Sequence, residues 1–536
     1  MKLNGYKRCA GIILHPTSLP TPYGIGDIGT AAHGFLDFLH SAGMSYWQIL
    51  PLGPTGCGDS PYQSYSAFAA NPLLISPDGL LAEGFITQED QHAAMCGRSD
   101  RVDYDAVREG KTALLRKAYA NFSADRPDYA AFARENAYWL DDYALYTALR
   151  GHFAQVRKHS KRADDYLCYY TRFSEMLSYE DIQGQYEGAV WTSWPQDIRE
   201  REETAVTRYT RELAGEITYV KFEQYLFHSQ WKRLHERARE LGISIVGDMP
   251  IFVSMDSADV WAHPKLFDIG TCGVPNAVAG VPPDYFSSTG QLWGNPLYNW
   301  GQNELTDYVW WTQRMKKAFE DCDVLRIDHF RGFESYWRVP YGAETAIHGK
   351  WVPGPGAALF NAAERELGRL SIIAEDLGVI TPEVTALRES LGYPGMAVLQ
   401  FAFDSDAANT YLPHNYDTSA IVAYTGTHDN DTSRGWYESA PETTRDRFRR
   451  YLNVSGDDAA WDMIRLAFGS VASVAIVPLQ DVCGLASHAR MNTPGIASGN
   501  WHFRCTPEML APQWAEGLRY LAGIYNRLPA RPDSEG

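Results

Sequence analysis

A (β/α)8 barrel is the fold this sequence predicts, and three observations predict it. Short apolar runs rich in β-branched residues recur along the 536-residue chain at strand length. Helical patterns lie between them, and continuous apolar strands alternating with helices specify a parallel sheet. Several of the runs end in polar or acidic residues, and a barrel gathers its functional groups at the C-terminal ends of its strands.

The candidate strands, in order, begin with GIILHP (11–16), YWQILPL (46–52), ISIVGDMP (243–250) and VLRIDHF (324–330). SIIAEDLG (371–378), MAVLQFAF (396–403), AIVAYTGTHD (420–429) and SVAIVPLQD (473–481) bring the number to the eight a closed barrel needs. Ahead of the third strand, Phe227, Trp231, Leu234, Ala238 and Leu241 recur at spacings of four and three within 218–242, and Gly242 supplies the stop. Helical patterns at 307–322 and 356–368 precede the fourth and fifth strands in the same way. The gap between strands two and three far exceeds a normal crossover. Residues 85–217, rich in Arg, Glu, Ala and Tyr, are therefore expected to form a mainly helical insertion. Residues 1–84 would supply strands one and two with a substrate loop. Residues 218–536 would supply strands three to eight, the catalytic rim and a lid loop at 279–300. The tail 527–536 is expected to fray.

Composition narrows the function classes. A net charge of −18 argues against a nucleic-acid backbone or an anionic membrane as main partner. It leaves a neutral substrate open. Aromatic content is high at 13%; most of those rings must pack the core, and some could form plates for sugar rings. The eight cysteines, at 9, 57, 96, 168, 272, 322, 483 and 505, show no CxxC spacing, so neither a zinc ribbon nor a thioredoxin-type site is suggested. Free thiols fit a reducing cytosol. The apolar stretch Ala10–Leu14 is short, broken by Gly11, and cannot serve as a signal-peptide core. A cytoplasmic protein is expected.

The chemistry concentrates at strand ends. Because side chains alternate across a strand, Arg326, Asp328 and Phe330 are expected on one face of the fourth strand and His329 on the other. The third strand ends in Asp248, the fifth in Glu375 and Asp376, and the seventh in His428 and Asp429. One Asp after a strand is ordinarily a helix cap or a surface ion pair. Carboxylates from four strands around one rim, with Arg326 among them, read differently. Like charges in one cleft push pKa values apart, so that one carboxyl keeps its proton while another does not. Two carboxylates flanking a bond, with a third nearby, are what glycoside chemistry requires. Adjacent strands lie about 4.8 Å apart, and retaining glycosidases hold their two carboxyls roughly 5 Å apart. The spacing therefore favours double displacement over inversion. RIDH, THDN and GDMP could instead be metal ligands. However, no HxH follows the first strand, where only His15 stands, and neither a metal nor a cofactor is expected.

The chain resembles the amylomaltases, 4-α-glucanotransferases also called disproportionating enzymes and related to the α-amylase group. The resemblance runs nearly end to end, through GIILHPTSLPTPYGIGDIG (11–29), SPYQSYSAFAANPLLIS (60–76), GDMPIFV (247–253) and AGVPPDYFSSTGQLWGNPLYNW (279–300). It continues through LRIDHFRGFESYW (325–337), IAEDLGVITPEV (373–384), GTHDNDTSRGW (426–436) and ARMNTPGIASGNW (489–501). Carried over by position, it implies Asp328 as nucleophile, Glu375 as acid/base, and Asp429, beside His428, as the carboxylate that grips sugar hydroxyls. Asp248 and Arg326 match positions around the reacting sugar. Tyr62 matches an aromatic that packs on the sugar at the cleavage point, Gln291 and Trp293 lie in the loop that covers the cleft, and Asn492 matches a substrate contact after the last strand. The chain departs from the family at Ile496, where Thr is usual, and at Arg434, where an aromatic or Leu is common.

The resemblance implies transfer of an α-1,4-glucan segment to the 4-hydroxyl of another glucan or of glucose through a glucosyl-Asp intermediate, with maltooligosaccharides and longer α-1,4-glucans as partners. A retaining α-glucan hydrolase would use the same three acids, and a glucan-binding barrel without turnover would not need them. On residues alone, 279–296 could be a lid or a plug in the barrel mouth. Gly280, Pro282, Pro283 and Gly290 would shape it, with Tyr285, Phe286 and Trp293 as stacking surfaces; the resemblance favours a lid. WTSWP (191–195) could extend a glucan groove or simply pack.

Overall fold

The computed structural model describes residues 8–97, 100–157, 190–270, 273–283, 287–496 and 498–529. All eight candidate strands are present, shorter than their apolar runs. They are β1 (Cys9–Ile13), β2 (Tyr46–Gln48), β3 (Ser244–Met249), β6 (Val324–Ile327), β9 (Ile372–Ala374), β10 (Gly395–Val398), β11 (Ile421–Tyr424) and β12 (Val474–Pro478). They pair in parallel in the order β10-β11-β12-β1-β2-β3-β6-β9. Their residues are buried almost throughout, as strands lined by lumen and outer helices must be. Inside the lumen the Tyr424 hydroxyl donates to Gln48 Oε1 at 2.9 Å, a bond across the barrel from β11 to β2.

The seam between β9 and β10 closes differently. The Ala374 N–H donates to the Pro394 carbonyl at 3.0 Å, and the next rung is made by a side chain. Asp376 Oδ1 accepts the Met396 N–H at 2.7 Å, while Arg388 pairs with its Oδ2 at 3.1 Å. A Cβ on Gly395 would lie 2.4 Å from Asp376 Oδ2, so this strand can approach only as glycine. Asp376 therefore belongs to the barrel wall, not to the ring of rim acids that the strand endings suggest.

The long helix ahead of β3 spans Ala214–Glu240 and crosses the expected boundary at 217/218. Phe227, Trp231, Leu234 and Ala238 are buried as their spacing predicts. Gly242, at φ 71°, ends it, and the Ile243 N–H returns to the Ala238 carbonyl. The helices before β6 and β9 run Val309–Asp321 and Ala357–Leu367. The described part of 85–217 is helical, chiefly Tyr104–Ala120, Pro127–Glu135, Ala137–Arg157 and Glu203–Glu212. Trp191 and Trp194 are buried, Trp194 against Tyr146, Phe153 and Trp261. WTSWP thus packs the insertion onto the barrel and offers no open sugar plate.

A second sheet was not legible as such in the sequence. β4 (Ala277–Val281), β5 (Gln291–Pro296), β7 (Ser335–Pro340) and β8 (Lys350–Pro353) form an antiparallel sheet in the order β5-β4-β7-β8. The segment expected as a lid loop thus has strand at 279–281 and 291–296, held by three neighbours of the catalytic region. Asn295 Nδ2 donates to the Val253 carbonyl after β3, and Trp293 lies against Phe252 and His329. Tyr285 and Phe286 lie outside the described residues.

Candidate active site

The centre of the site is one guanidinium. In β6, Arg326 stands in register with Asp248 of β3, so the pleat sends both into the lumen. Arg326 Nη1 donates to both oxygens of Asp248 at 2.7 Å, and its Nη2 donates to Asp328 Oδ1 at 3.0 Å. Arg326 and Asp248 side chains are almost wholly enclosed, whereas Asp328 keeps 29% of its side chain open. Burial disfavours the Arg326 charge, but Asp248 and Asp328 outweigh it and raise its pKa well above the usual range. The Asp248 oxygens are thus spoken for by Arg326 and by the Tyr62 hydroxyl, which donates at 2.8 Å.

The strand ends at Ile327, and His329 turns into the left-handed region at φ 50°. Such a conformation is uncommon for a residue with a Cβ. It breaks the alternation, and Phe330 therefore does not share the face of Asp328. It packs outside the lumen against Phe333, Phe360 and Tyr393. The turn instead aims the His329 N–H at Glu375 Oε2, 2.7 Å away, and the Leu377 N–H binds Oε1 at 2.9 Å. Burial and the neighbouring Asp328 push the Glu375 carboxyl up to about 7, against the opposing pull of Arg326 and these two amides. An acid that holds its proton near neutrality now stands one residue from a carboxylate paired with arginine.

On the opposite side of the rim, β11 leads into the Thr425–Thr432 loop. His428 Nε2 lies 3.3 Å from Asp429 Oδ1, and Asn492 Nδ2 donates to the same oxygen at 2.6 Å. Partial desolvation works against the Asp429 charge, though 43% of its side chain stays open, and His428, then Asn492 and Arg326, outweigh it and bring the carboxyl down to about 2. The Tyr62 ring stacks on His428 with centroids 4.9 Å apart, and its hydroxyl lies 3.4 Å from His428 Nδ1. Contacts therefore run unbroken from Asn492 through Asp429, His428, Tyr62, Asp248 and Arg326 to Asp328, with Glu375 bound beside it.

Gln291 and Trp293 sit two apart on β5, so they share a face, and Gln291 Oε1 accepts the Trp293 indole N–H at 3.1 Å. The Trp293 ring meets His329 edge-on at 4.8 Å. The structure therefore gathers every candidate site residue around one rim. Two further groups escaped the sequence reading. Trp501 backs both Tyr62 and His428, and Arg490 Nη2 donates to the Asp429 carbonyl at 2.6 Å. Both lie in the 489–501 stretch, so position in a matching motif was their only signal.

A (β/α)8 barrel whose rim brings a near-neutral acid, an arginine-paired carboxylate and a third carboxylate to one cleft is a glycoside-processing enzyme of the retaining type. The chain belongs to the 4-alpha-glucanotransferase family, whose model matches residues 14–510. It is 45% identical to a 4-alpha-glucanotransferase of Thermus thermophilus, over 97% of this chain and 99% of that one. It is 46% identical to the Synechocystis enzyme of the same name, over 97% and 98%. Among solved structures, the amylomaltase of Streptococcus agalactiae in complex with acarbose superposes with a TM-score of 0.88 at 36% identity, covering 98% of this chain and 100% of that one.

Proposed function

We propose that Asp328 is the nucleophile, Glu375 the acid/base and Asp429 the sugar-gripping carboxylate of a double-displacement transfer between α-1,4-glucans. Asp328 attacks the anomeric carbon while Glu375 gives its proton to the departing O4, leaving a glucosyl ester on Asp328. Glu375 then takes the proton from the 4-hydroxyl of an incoming glucan, which attacks the ester and remakes the linkage. The bond made equals the bond broken, so the reaction needs no cofactor. The observation that carries this reading is the unbroken chain of contacts from Asn492 to Asp328 with Glu375 beside it, because it links the surroundings of all three acids at one end of the barrel.

Each supporting residue follows from its contacts. Arg326 stands beside the attacking carboxylate and ties it to the lumen wall. Tyr62, held by Asp248 and by its stack on His428, offers a ring to the sugar at the cleavage point. Trp293, on a strand and with its indole bonded to Gln291, lies over His329 beside Asp328, where water would otherwise compete with the acceptor. Maltooligosaccharides and longer α-1,4-glucans are the substrates this implies. Incubation with maltotriose tests it: glucose plus a ladder of longer glucans is expected. Reducing ends appearing in step with every bond broken would mean hydrolysis instead.

A further inference from the structure

Asp481 takes no part in the chemistry above, yet it is fully enclosed and receives three donors. It follows β12, in the short helix Leu479–Val482. Its Oδ1 accepts the Ser433 N–H at 2.6 Å, and its Oδ2 accepts the hydroxyls of Thr425 and Ser433, each at 2.6 Å. Thr425 is the first residue after β11, and Ser433 opens the helix Ser433–Ser439. His428 and Asp429 stand midway between them.

We propose that Asp481 is a positioning residue for sugar gripping, clasping both ends of the Thr425–Ser433 loop and so fixing where the Asp429 carboxylate stands. The inference rests on the reading of Asp429 given above. Other bonds hold the middle of the loop. Gln400 Nε2 donates to the Asp431 carbonyl, Ser487 Oγ to Asp431 Oδ2, and Arg490 to the Asp429 carbonyl. Asp481 acts at the two roots, where a small change of angle is carried to the tip. The site uses both oxygens of the Asp481 side chain, one for the Ser433 amide and the other for two hydroxyls. An alanine there leaves all three unpaired away from water. An asparagine keeps the shape, and the two hydroxyls can turn to accept from its amide.

The test is a double-mutant cycle read as affinity for acarbose, the ligand of the Streptococcus agalactiae structure, with melting temperature recorded alongside. Asp481→Ala is expected to weaken binding roughly ten- to a hundredfold, and Asp481→Asn by no more than about threefold. In an Asp429→Asn background, Asp481→Ala should add no more than about twofold, because the group it places has already lost its charge. Equal losses in both backgrounds, or unchanged affinity with a lowered melting temperature, would overturn the clasp and leave Asp481 a fold residue. If Asp481→Ala does not fold, Thr425→Val and Ser433→Ala each remove one donor and enter the same cycle. Wild-type affinity in Asp429→Asn alone would overturn the reading of Asp429 and this inference with it.

Discussion

Glu375 answers to two opposed sets of groups. Enclosure and Asp328 favour its proton, while the His329 and Leu377 amides and Arg326 favour its charge, and the balance settles at about 7. Two consequences follow. On the proposed mechanism the first step needs the proton, so kcat/KM is expected to fall as pH rises through about 7, and Glu375→Gln should remove the proposed acid/base altogether. The second concerns stability. A carboxyl whose pKa is higher in the folded protein than in the unfolded chain favours folding at low pH, and that contribution fades between about 4.5 and 7. The stability lost in Glu375→Ala should therefore be smaller at pH 8 than at pH 4, where the wild-type carboxyl keeps its proton; paired urea titrations measure it. Asp328→Asn is expected to lower maltotriose turnover by about four orders of magnitude, with the fold intact by circular dichroism. At this scale the sequence was informative where a motif fixed a residue's place, as for Asp328, Glu375 and Asp429. It misjudged Phe330 and Asp376. The left-handed turn at His329 and the side-chain rung at the β9–β10 seam both interrupt the simple alternation of a strand.

At the scale of elements, the barrel strands were legible because enclosure on both sides makes them continuous apolar runs. The second sheet was hidden for the opposite reason. Its strands are as long as those of the barrel, but β4, β5 and β8 carry Gly or Pro and β8 is largely exposed, so no continuous apolar run marks them. A resemblance that placed 279–300 over the cleft said where the segment lies, not that part of it is strand. Trp293, carried on that strand, should act by excluding water. Trp293→Ala is expected to raise the share of hydrolysis in maltotriose reactions several-fold, read as reducing ends per bond broken, with stability little changed. The seam gives a second prediction. Gly395→Ala drives a methyl into the Asp376 carboxylate, and a loss of about 1–3 kcal/mol in chemical denaturation is expected.

At the scale of the whole molecule, polar side chains tie the helix ahead of β3 and the insertion to the segments around the cleft. Gln224, on the Ala214–Glu240 helix, makes a two-way amide pair with Ala70, accepting at 2.8 Å and donating at 2.9 Å. One turn and a half further on, Gln230 accepts the Ser76 N–H at 2.7 Å. Between them they fasten the segment that carries Tyr62. Asp256, after β3, receives Tyr146 and Arg150 from the Ala137–Arg157 helix. Gln224→Ala leaves a buried N–H and carbonyl unpaired, and should cost about 1–3 kcal/mol together with a raised KM for maltotriose. None of these polar ties was readable from sequence, since a glutamine on a helix face carries no mark of the distant backbone it meets.

The β9–β10 joint has a further consequence. Most neighbouring staves of this barrel are laced by a run of amide–carbonyl rungs, but here one such rung and one carboxylate share the task, and the adjoining stave ends in Glu375. Breathing of the wall should begin at that joint, with the amide protons of Ala374 and Met396 trading for deuterium sooner than those of Ile12 or Val246. Glu375 is thus mounted beside the joint of the wall that has the fewest rungs. Its reach toward donor and acceptor would then depend on how firmly a single aspartate keeps the ring shut.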